Sequence, residues 1–218
     1  MAYHIPGGLG EFRGRVAGVV VYRWRQLKLG RSRPGKSSRK PSKDQKRQRS
    51  RLGLISRYLS KFVYVVRDGY NTKRMNITSM NAAVKQNFHT AVTGEYPNLK
   101  VEDALVQLSK GTLDHVYRPT VKTKENGDIT VEWINPDRQK PGVNDHDTVH
   151  LVFYSDALRR RQLFYMDDLA LRKDDIANVP DTVNYFKGPV HVWMFLLSAD
   201  GKRPSNSRYL GVFNFIKK

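Results

Sequence analysis

Positive charge is concentrated at one end of this chain. The first sixty residues hold sixteen lysines and arginines against two acidic residues, Glu11 and Asp44, and so carry fourteen of the nineteen excess positive charges of the 218-residue chain. A block of this density repels itself in water and is stabilised by a polyanion, a membrane surface or an acidic protein partner. We therefore expect one folded body that carries a distinct basic arm.

The rest of the composition is that of a globular protein without thiol chemistry. Apolar residues make up 39% of the chain and aromatic residues 11%, which is enough to bury a core. The absence of cysteine excludes disulfides, thiolate metal sites and thiol catalysis. No apolar run approaches the roughly 18 residues that span a bilayer, and no secretory signal precedes Arg13. We expect a protein without membrane insertion that is cytoplasmic or carried within an assembled particle.

The opening of the chain favours turns and strands. Pro6 and five glycines lie between residues 6 and 18, a density that does not support a helix. A β-branched and aromatic run follows over residues 16–24. Alternation divides this strand into an apolar face and a cationic face, formed respectively by Val20, Tyr22 and Trp24 and by Val21, Arg23 and Arg25.

A linker and a helix follow the strand. Residues 30–41 contain no apolar side chain and predict a loop, or a linker that is disordered when unbound. Ser42 and Gln45 have capping-box spacing, and apolar residues recur at helical intervals from Leu52 until Gly69. We predict one helix of about 26 residues, or ~39 Å. Its first turns are basic, so its amino-terminal half should project beyond the core while Leu52 onward packs on it.

A second helix is predicted over residues 80–92, with Ser79 as its cap and Gly94 as its end. Residues 101–108 fit a strand or a helix, and the turn signal Lys110-Gly111 favours the strand. From Val116 the pattern is β throughout, with strand-length runs at 119–124, 129–134, 148–154, 190–197 and 209–215. Roughly seven short strands at such spacings predict a β-sandwich of about 100 residues.

The carboxy-terminal part resembles a fibronectin type III domain, which is an immunoglobulin-like sandwich. The resemblance rests on Trp133 in Thr130-Val-Glu-Trp, on the phrase Val192-Trp-Met-Phe-Leu-Leu-Ser-Ala-Asp-Gly201, and on Ser205-Asn-Ser207. Where that family carries a tyrosine-corner residue, this chain offers Trp193 or His191. The expected fold is therefore α+β. Residues 1–115 supply a strand, the basic arm and two helices, and residues 116–218 form the sandwich.

The whole chain also resembles an uncharacterised family of bacterial proteins known as a domain of unknown function. The matching phrases are Gly8-Leu-Gly-Glu-Phe-Arg-Gly-Arg-Val-Ala-Gly-Val-Val20, Met80-Asn-Ala-Ala83, Leu108-Ser-Lys-Gly-Thr-Leu113 and Ser205-Asn-Ser-Arg-Tyr-Leu-Gly211. This resemblance implies no activity, so function has to be inferred from the residues.

The basic arm is the candidate binding site. Arginine mixed with Tyr22 and Trp24 is a combination that neutralises phosphates and stacks on bases. The alternative is that the two aromatic residues fill the core. The residues that we expect to contact a nucleic acid or another anion are Arg23, Arg25, Arg31, Arg33, Lys36, Arg39, Lys40, Lys43, Lys46, Arg47, Arg49 and Arg51.

Other sequence patterns give weaker evidence for a nucleotide, metal or catalytic site. Residues 30–38 match a phosphate-loop spacing, but Pro34 interrupts the loop and no helix pattern begins at Lys36. His146 and His150, beside Asp145 and Asp147, would lie about 13 Å apart on a strand, too far to share an ion. The pairs Asp167-Asp168 and Asp174-Asp175 fall in a predicted connecting region, where they make no catalytic dyad by spacing but can offer a negative surface to a neighbour's arm.

We therefore expect neither an enzyme nor a cofactor or metal site. The leading hypothesis is a structural assembly protein whose arm binds nucleic acid or an acidic subunit within a large particle, virion-like or ribonucleoprotein, while the sandwich makes protein contacts. Under this hypothesis we expect a homo-oligomer or a component of a larger assembly. Two alternatives stay open: an independent DNA- or RNA-binding protein without sequence preference, and an adaptor that acts through the sandwich.

Overall fold

A computed structural model describes residues 2–3, 13–24, 27–35, 39–71, 77–123, 129–135, 143–156, 162–179, 186 and 188–214. The chain divides into two compact units, Met1–Ser42 and Lys43–Lys218. Helices and strands are both present, which confirms the α+β class. The division differs from the predicted boundary at residues 115–116, because the helices share a hydrophobic core with strands of the carboxy-terminal region.

The first unit contains an antiparallel sheet with the strand order β1-β4-β3-β2. Its strands are β1 (Ala2–Tyr3), β2 (Gly14–Val16), β3 (Val19–Trp24) and β4 (Leu27–Ser32). The predicted strand is present but is broken at Ala17-Gly18, where β2 turns back to pair with β3. The predicted linker is wrong for residues 30–32, which continue β4 as far as the pair Val19–Ser32, because backbone pairing needs no apolar side chain.

The second unit begins with two helices where one was predicted. A 3₁₀ turn at Ser60–Phe62 separates α1 (Lys43–Leu59) from α2 (Val63–Gly69). The apolar stripe is confirmed for the residues that are buried on it, namely Ile55, Leu59, Phe62, Val66 and Tyr70. Leu52 and Val63 are both 48% exposed, so the packed part of α1 begins later than predicted.

The second predicted helix is confirmed as α3 (Ser79–Thr90). Its cap is Thr78, whose hydroxyl accepts a hydrogen bond from the Asn81 N–H at 3.1 Å, whereas the Ser79 hydroxyl donates to the Tyr70 carbonyl. A short pair, β5 (Val92–Thr93) and β6 (Lys100–Val101), follows the helix.

The predicted strand at 101–108 is wrong beyond residue 101. A 3₁₀ turn occupies Asp103–Leu105. The buried amide of Asn87 then takes the place of a neighbouring strand, since its Oδ1 accepts from the Gln107 N–H at 2.7 Å and its Nδ2 donates to the Gln107 carbonyl at 2.8 Å. With both backbone groups of Gln107 satisfied by a side chain, this segment has no need of a β partner.

The carboxy-terminal region consists of two antiparallel sheets, with strand orders β11-β8-β7 and β10-β9-β12-β13. The strands are β7 (Tyr117–Thr123), β8 (Ile129–Ile134), β9 (Thr148–Ser155), β10 (Gln162–Leu171), β11 (Ile176–Val179), β12 (Pro189–Leu197) and β13 (Arg208–Asn214). One hydrophobic cluster joins the two sheets, and Val131, Trp133, Leu151, Phe153 and Met194 are among its buried members.

The four-stranded sheet is covered on both faces. Leu151 and Phe153 of β9 point into the cluster shared with the three-stranded sheet, whereas Val152 and Tyr154 belong to the cluster formed with the helices. The Phe62 ring lies 5.1 Å from Tyr154 and 5.9 Å from Trp193, between centroids. Burial on both faces explains why β9 and β12 read as continuous apolar runs without clear alternation.

Strands β10 and β11 lie where the sequence predicted a connecting region. Asp167 and Asp168 are part of β10, at an irregularity that shifts its register against β9 between Met166 and Ala170. Asp168 has a φ of 55°, which breaks the alternation of side chains along the strand. Two exposed acids at this bulge therefore interrupt the alternating apolar pattern from which the strand could have been predicted.

Two of the phrases that carry the family resemblance lie against each other. We call residues 108–113 and 204–207 the clasp, because hydrogen bonds join them along their length. The Leu108 N–H donates to Ser207 Oγ at 2.9 Å, the Ser207 N–H donates to the Ser109 carbonyl at 3.0 Å, and the Leu113 N–H donates to the Pro204 carbonyl at 3.2 Å. The clasp ties the segment after the helices to the segment before β13.

Gly111 is the tightest point of the clasp. A Cβ atom at this position would lie 1.9 Å from the Pro204 carbonyl oxygen, a separation that requires the backbone to move. We therefore expect Gly111→Ala to lower the free energy of unfolding by about 1–3 kcal/mol, because it overpacks two backbones. Urea unfolding followed by circular dichroism measures this change.

Gly53→Ala is the matched control for this substitution. Gly53 lies within α1, and a Cβ there would meet nothing within 4 Å. The same change should therefore raise the free energy of unfolding by about 0.5–1 kcal/mol, since alanine favours a helix over glycine. Equal effects of the two substitutions would contradict the account of the clasp.

His115 should make the stability of the folded protein depend on pH. Its two ring nitrogens face the carbonyls of Val116 and Met194, at 3.1 and 3.3 Å, and burial lowers the pKa of His115 to about 4 despite those acceptors. The folded protein therefore holds His115 neutral at pH values where the unfolded chain, with a pKa near 6.5, binds a proton. Protonation of His115 in the unfolded chain therefore does not oppose folding above pH 6.5. As the pH falls from 6.5 toward 4, the unfolded chain gains a proton that the folded protein does not, and the free energy of unfolding decreases.

Between pH 7 and pH 5, His115 should cost the protein about 2 kcal/mol of stability. His115→Gln should remove that part of the pH dependence, because glutamine cannot titrate. Urea unfolding of both proteins at the two pH values makes the comparison, and burial of His150 lowers its pKa equally in both. The same loss of stability in the two proteins would show that His115 does not titrate as described.

Candidate polyanion interface

The first two turns of α1 present a basic surface. Residues 43–50 are all exposed, and they include Lys43, Lys46, Arg47 and Arg49 against one acid, Asp44. Further along the same helix, Ile55 and Leu59 are fully buried against the body. The basic turns are therefore the exposed end of a helix whose other end is fixed, as the sequence predicted, so the helix itself sets the positions of their charges.

Arg51 differs from its neighbours on α1. It is half-buried, its Nη2 donates a hydrogen bond to the Val92 carbonyl, and its guanidinium carbon lies 5.7 Å from the centroid of the Phe88 ring. Through these contacts Arg51 holds α1 against α3 and β5. We therefore assign it a structural role and leave it out of the exposed basic surface.

The remaining predicted contact residues lie in the first unit or in the loop that leads to α1. Arg23 and Arg31 are exposed on β3 and β4, and Arg33, Arg39 and Lys40 are exposed after β4. Arg25 and Lys36 lie outside the described residues. The phosphate-loop spacing that begins at Gly30 therefore starts within a strand, since Gly30 pairs with Val21.

Cross-strand register gathers aromatic residues and arginines on one side of the first sheet. Arg15, Val20 and Arg31 are direct partners in one row, Tyr22 is opposite Leu29 in the next, and Trp24 is opposite Leu27 in the third. Direct partners share a face, and so do residues two apart along a strand. We call this set of seven residues the aromatic–arginine face.

The face is accessible at Trp24 and Arg31, whereas Leu29 within it is only 8% exposed, and members of the face interact. Trp24 is 41% exposed, and the Arg31 guanidinium carbon lies 5.7 Å from the Tyr22 ring centroid. The predicted division of β3 into two faces is correct, but the buried residue is Val21, at 6% exposure, on the side assigned to the cations. Trp24 therefore does not fill a core, which was the alternative to a binding role.

A groove that the sequence did not reveal borders the clasp. It encloses about 510 Å³ and is lined by Asn71, Lys110, Gly111, Thr112, Asp200, Lys202, Arg203 and Pro204. Lys202 pairs with Asp200 at 3.3 Å, and hydrogen bonds from the Ser198 hydroxyl and the Lys202 N–H lower the pKa of Asp200 to about 2. One cation of the groove is thus neutralised by a carboxylate that stays ionised.

Four polar side chains form a chain across the interface between α2 and the sheet. Tyr165 donates to Asp68 at 3.0 Å, and His150 bonds Tyr165 through Nδ1 and Thr148 through Nε2, both at 2.9 Å. This order resembles a proton relay. However, His150 is 3% exposed and stacks on Phe195 with centroids 4.9 Å apart, so a substrate cannot reach its imidazole. The chain fixes α2 on β9 and β10.

The residues considered for metal binding have other partners. Asp147 pairs with the buried Arg172, with 3.3 Å between Nε and Oδ2, and its carboxylate also accepts the N–H groups of Asn144 and Ala199. Among the described residues, no cluster of three or more histidine, aspartate and glutamate side chains is arranged to hold a metal ion. Likewise, no helix in the described ranges is long and apolar enough to cross a bilayer.

Comparisons with known proteins give one match. The model of a family described as a family of unknown function, DUF6266, matches residues 11–211. No curated protein and no solved structure matches the chain. The match covers both units and all of the sheets and helices described above except β1 and the end of β13, which confirms the resemblance to an uncharacterised family. The chain therefore belongs to the family of unknown function DUF6266.

Proposed function

We propose that this protein is a structural, non-enzymatic component of a larger assembly and that its basic amino-terminal region binds a polyanion, with nucleic acid as the leading candidate. The observation that carries this proposal is the exposed basic end of α1, where Lys43, Lys46, Arg47 and Arg49 follow one another on a helix that is anchored by Ile55 and Leu59. A rigid row of cations neutralises phosphates at a smaller entropic cost than a flexible tail does.

The distribution of charge supports a localised interaction. The 158 residues after Ser60 hold twenty-three basic and eighteen acidic residues, so the body is close to balanced. Several of its cations also have acidic partners, such as Lys61 with Asp156 and Lys122 with Glu132. A polyanion is therefore attracted to the amino-terminal region more strongly than to the sandwich.

We further propose that residues 116–218 form a fibronectin type III-like sandwich that makes protein contacts. Sheets of three and four strands, with the chain crossing between them after β8, β10 and β11, are the arrangement of immunoglobulin-like domains. Tyr117 and Ile134 are cross-strand partners at 59% and 57% exposure. Large apolar residues paired at the surface favour contact with another protein.

Neutralising the basic end of α1 tests the central part of the proposal. Replacing Lys43, Lys46, Arg47 and Arg49 with glutamine should weaken binding to a DNA duplex and reduce the slope of log affinity against log salt by about 3–4, since each phosphate contact contributes about 0.9. Fluorescence anisotropy with a labelled duplex at several salt concentrations measures both quantities.

The control removes the same number of charges from elsewhere. Lys100, Lys122, Lys173 and Lys202 are exposed on the body, and their replacement with glutamine should leave the salt slope within about one unit of its original value. If the two quadruple variants lost affinity equally, binding would follow total charge and the assignment to α1 would be wrong.

A polyanion should also protect the loop that joins the two units from proteolysis. Arg39 is exposed there and is followed by Lys40, so it gives a trypsin cleavage site in the isolated protein, whereas the bonds after Arg33 and Lys40 precede proline and resist trypsin. Duplex DNA at low salt should slow cleavage after Arg39, and about 1 M salt should abolish the protection by screening the charges. Mass spectrometry of the fragments identifies the sites. Unchanged cleavage at low salt would contradict a bound arm.

A further inference from the structure

We infer that the aromatic–arginine face of the first sheet binds single-stranded nucleic acid by stacking unpaired bases on Trp24 and on Arg31, which itself lies over the Tyr22 ring. This inference rests on the proposed polyanion binding and specifies its substrate class. It concerns the first unit, whereas the basic end of α1 belongs to the second unit and contacts phosphates whether the strands are paired or not.

The arrangement of the face provides the two contacts by which proteins bind a single strand, namely stacking on the bases and attraction to the phosphates. Tyr22 and Trp24 are two residues apart on β3, so their positions are separated by about 6.8 Å along the strand. Arg15 and Arg31 flank Val20 in the adjacent row and lie within reach of a backbone that runs across the sheet. Aromatic platforms beside arginines are a recurring solution for binding single strands without sequence preference.

The position of Arg31 favours stacking rather than simple charge attraction. Its guanidinium carbon lies 5.7 Å from the centroid of Tyr22, so the cation is already placed over an aromatic ring. Guanidinium planes stack on bases as aromatic side chains do. A base can therefore bind against Arg31 while the adjacent Trp24, at 41% exposure, receives the next one.

Duplex DNA does not offer the matching surface. Paired bases stack on each other and present only their edges in the grooves, so the Trp24 ring and the Arg31 guanidinium have no base face to contact. Association with a second copy of the same face is also disfavoured, because it would bring the arginines of two copies together. Charge complementarity and exposed rings together select an unpaired polynucleotide.

The three tryptophans make the inference directly measurable. Trp24 is exposed, whereas Trp133 and Trp193 are 4% and 0% exposed in the second unit. An oligothymidylate or oligouridylate of about 16 nucleotides should quench the fluorescence of the full-length protein and reduce quenching by iodide. A duplex that is bound to the same extent should change neither signal. Equal changes with both nucleic acids would overturn the inference.

Substitutions locate the interaction on this face. Trp24→Leu should weaken single-strand binding roughly tenfold while changing duplex binding by less than about twofold, and Trp24→Phe should restore most of the loss because it restores a stacking ring. Arg31→Gln should weaken single-strand binding more than Arg23→Gln, which removes the same charge from the opposite face of the sheet. Val19→Ala, on that opposite face, is the apolar control and should have no effect.

The results separate this inference from the proposed function. If the glutamine variant of α1 loses affinity for both nucleic acids while Trp24→Leu loses none, polyanion binding stands and base stacking is overturned. If Trp24→Leu weakens single-strand and duplex binding equally, base stacking is also overturned. The fluorescence of the unmodified protein keeps the test valid if a variant fails to fold.

Discussion

The burial of both faces of the four-stranded sheet determines most of what this structure presents to solvent. Strands β9 and β12 contribute alternate side chains to two hydrophobic clusters, one shared with the three-stranded sheet and one with the helices. Phe62, between Tyr154 and Trp193, is central to the second cluster. Because this packing fixes the carboxy-terminal half of α1, it also determines that the basic turns of the helix extend into solvent.

Polar side chains hold the layers in place without creating an accessible reactive group. The Asn87 amide replaces a strand partner for Gln107, the clasp joins two distant segments, and His150 is enclosed by Tyr165, Thr148 and Phe195. These groups are buried and hydrogen-bonded, which stabilises a specific arrangement but leaves them out of reach of a substrate. Among the described residues, the exposed cations are most concentrated toward the amino terminus, on α1 and on the sheet that carries the exposed Trp24.

Sequence reasoning could identify the elements that have a strong local pattern. The apolar stripe of α1 and α2, the extent of α3 and the strands β8, β9, β12 and β13 follow from periodicity and turn residues. Three features could not be predicted, because each depends on contacts that are distant in sequence. Strand β10 is interrupted by its acidic bulge at Asp167-Asp168, and the extended segment at Gln107 pairs with a side chain instead of a strand. The third feature is the structural role of Arg51. The composition of the arm indicated its binding chemistry, but the register of β3 and β4 was required to place Arg15, Arg31, Tyr22 and Trp24 on one face.

Hydrogen–deuterium exchange of the full-length protein, with and without bound nucleic acid, tests the central claim most directly. Amides that become ordered or shielded by the ligand exchange more slowly. The account predicts added protection in β3, β4 and the first two turns of α1, with exchange in the sandwich strands unchanged. Added protection confined to the sandwich, with none in residues 13–50, would contradict it.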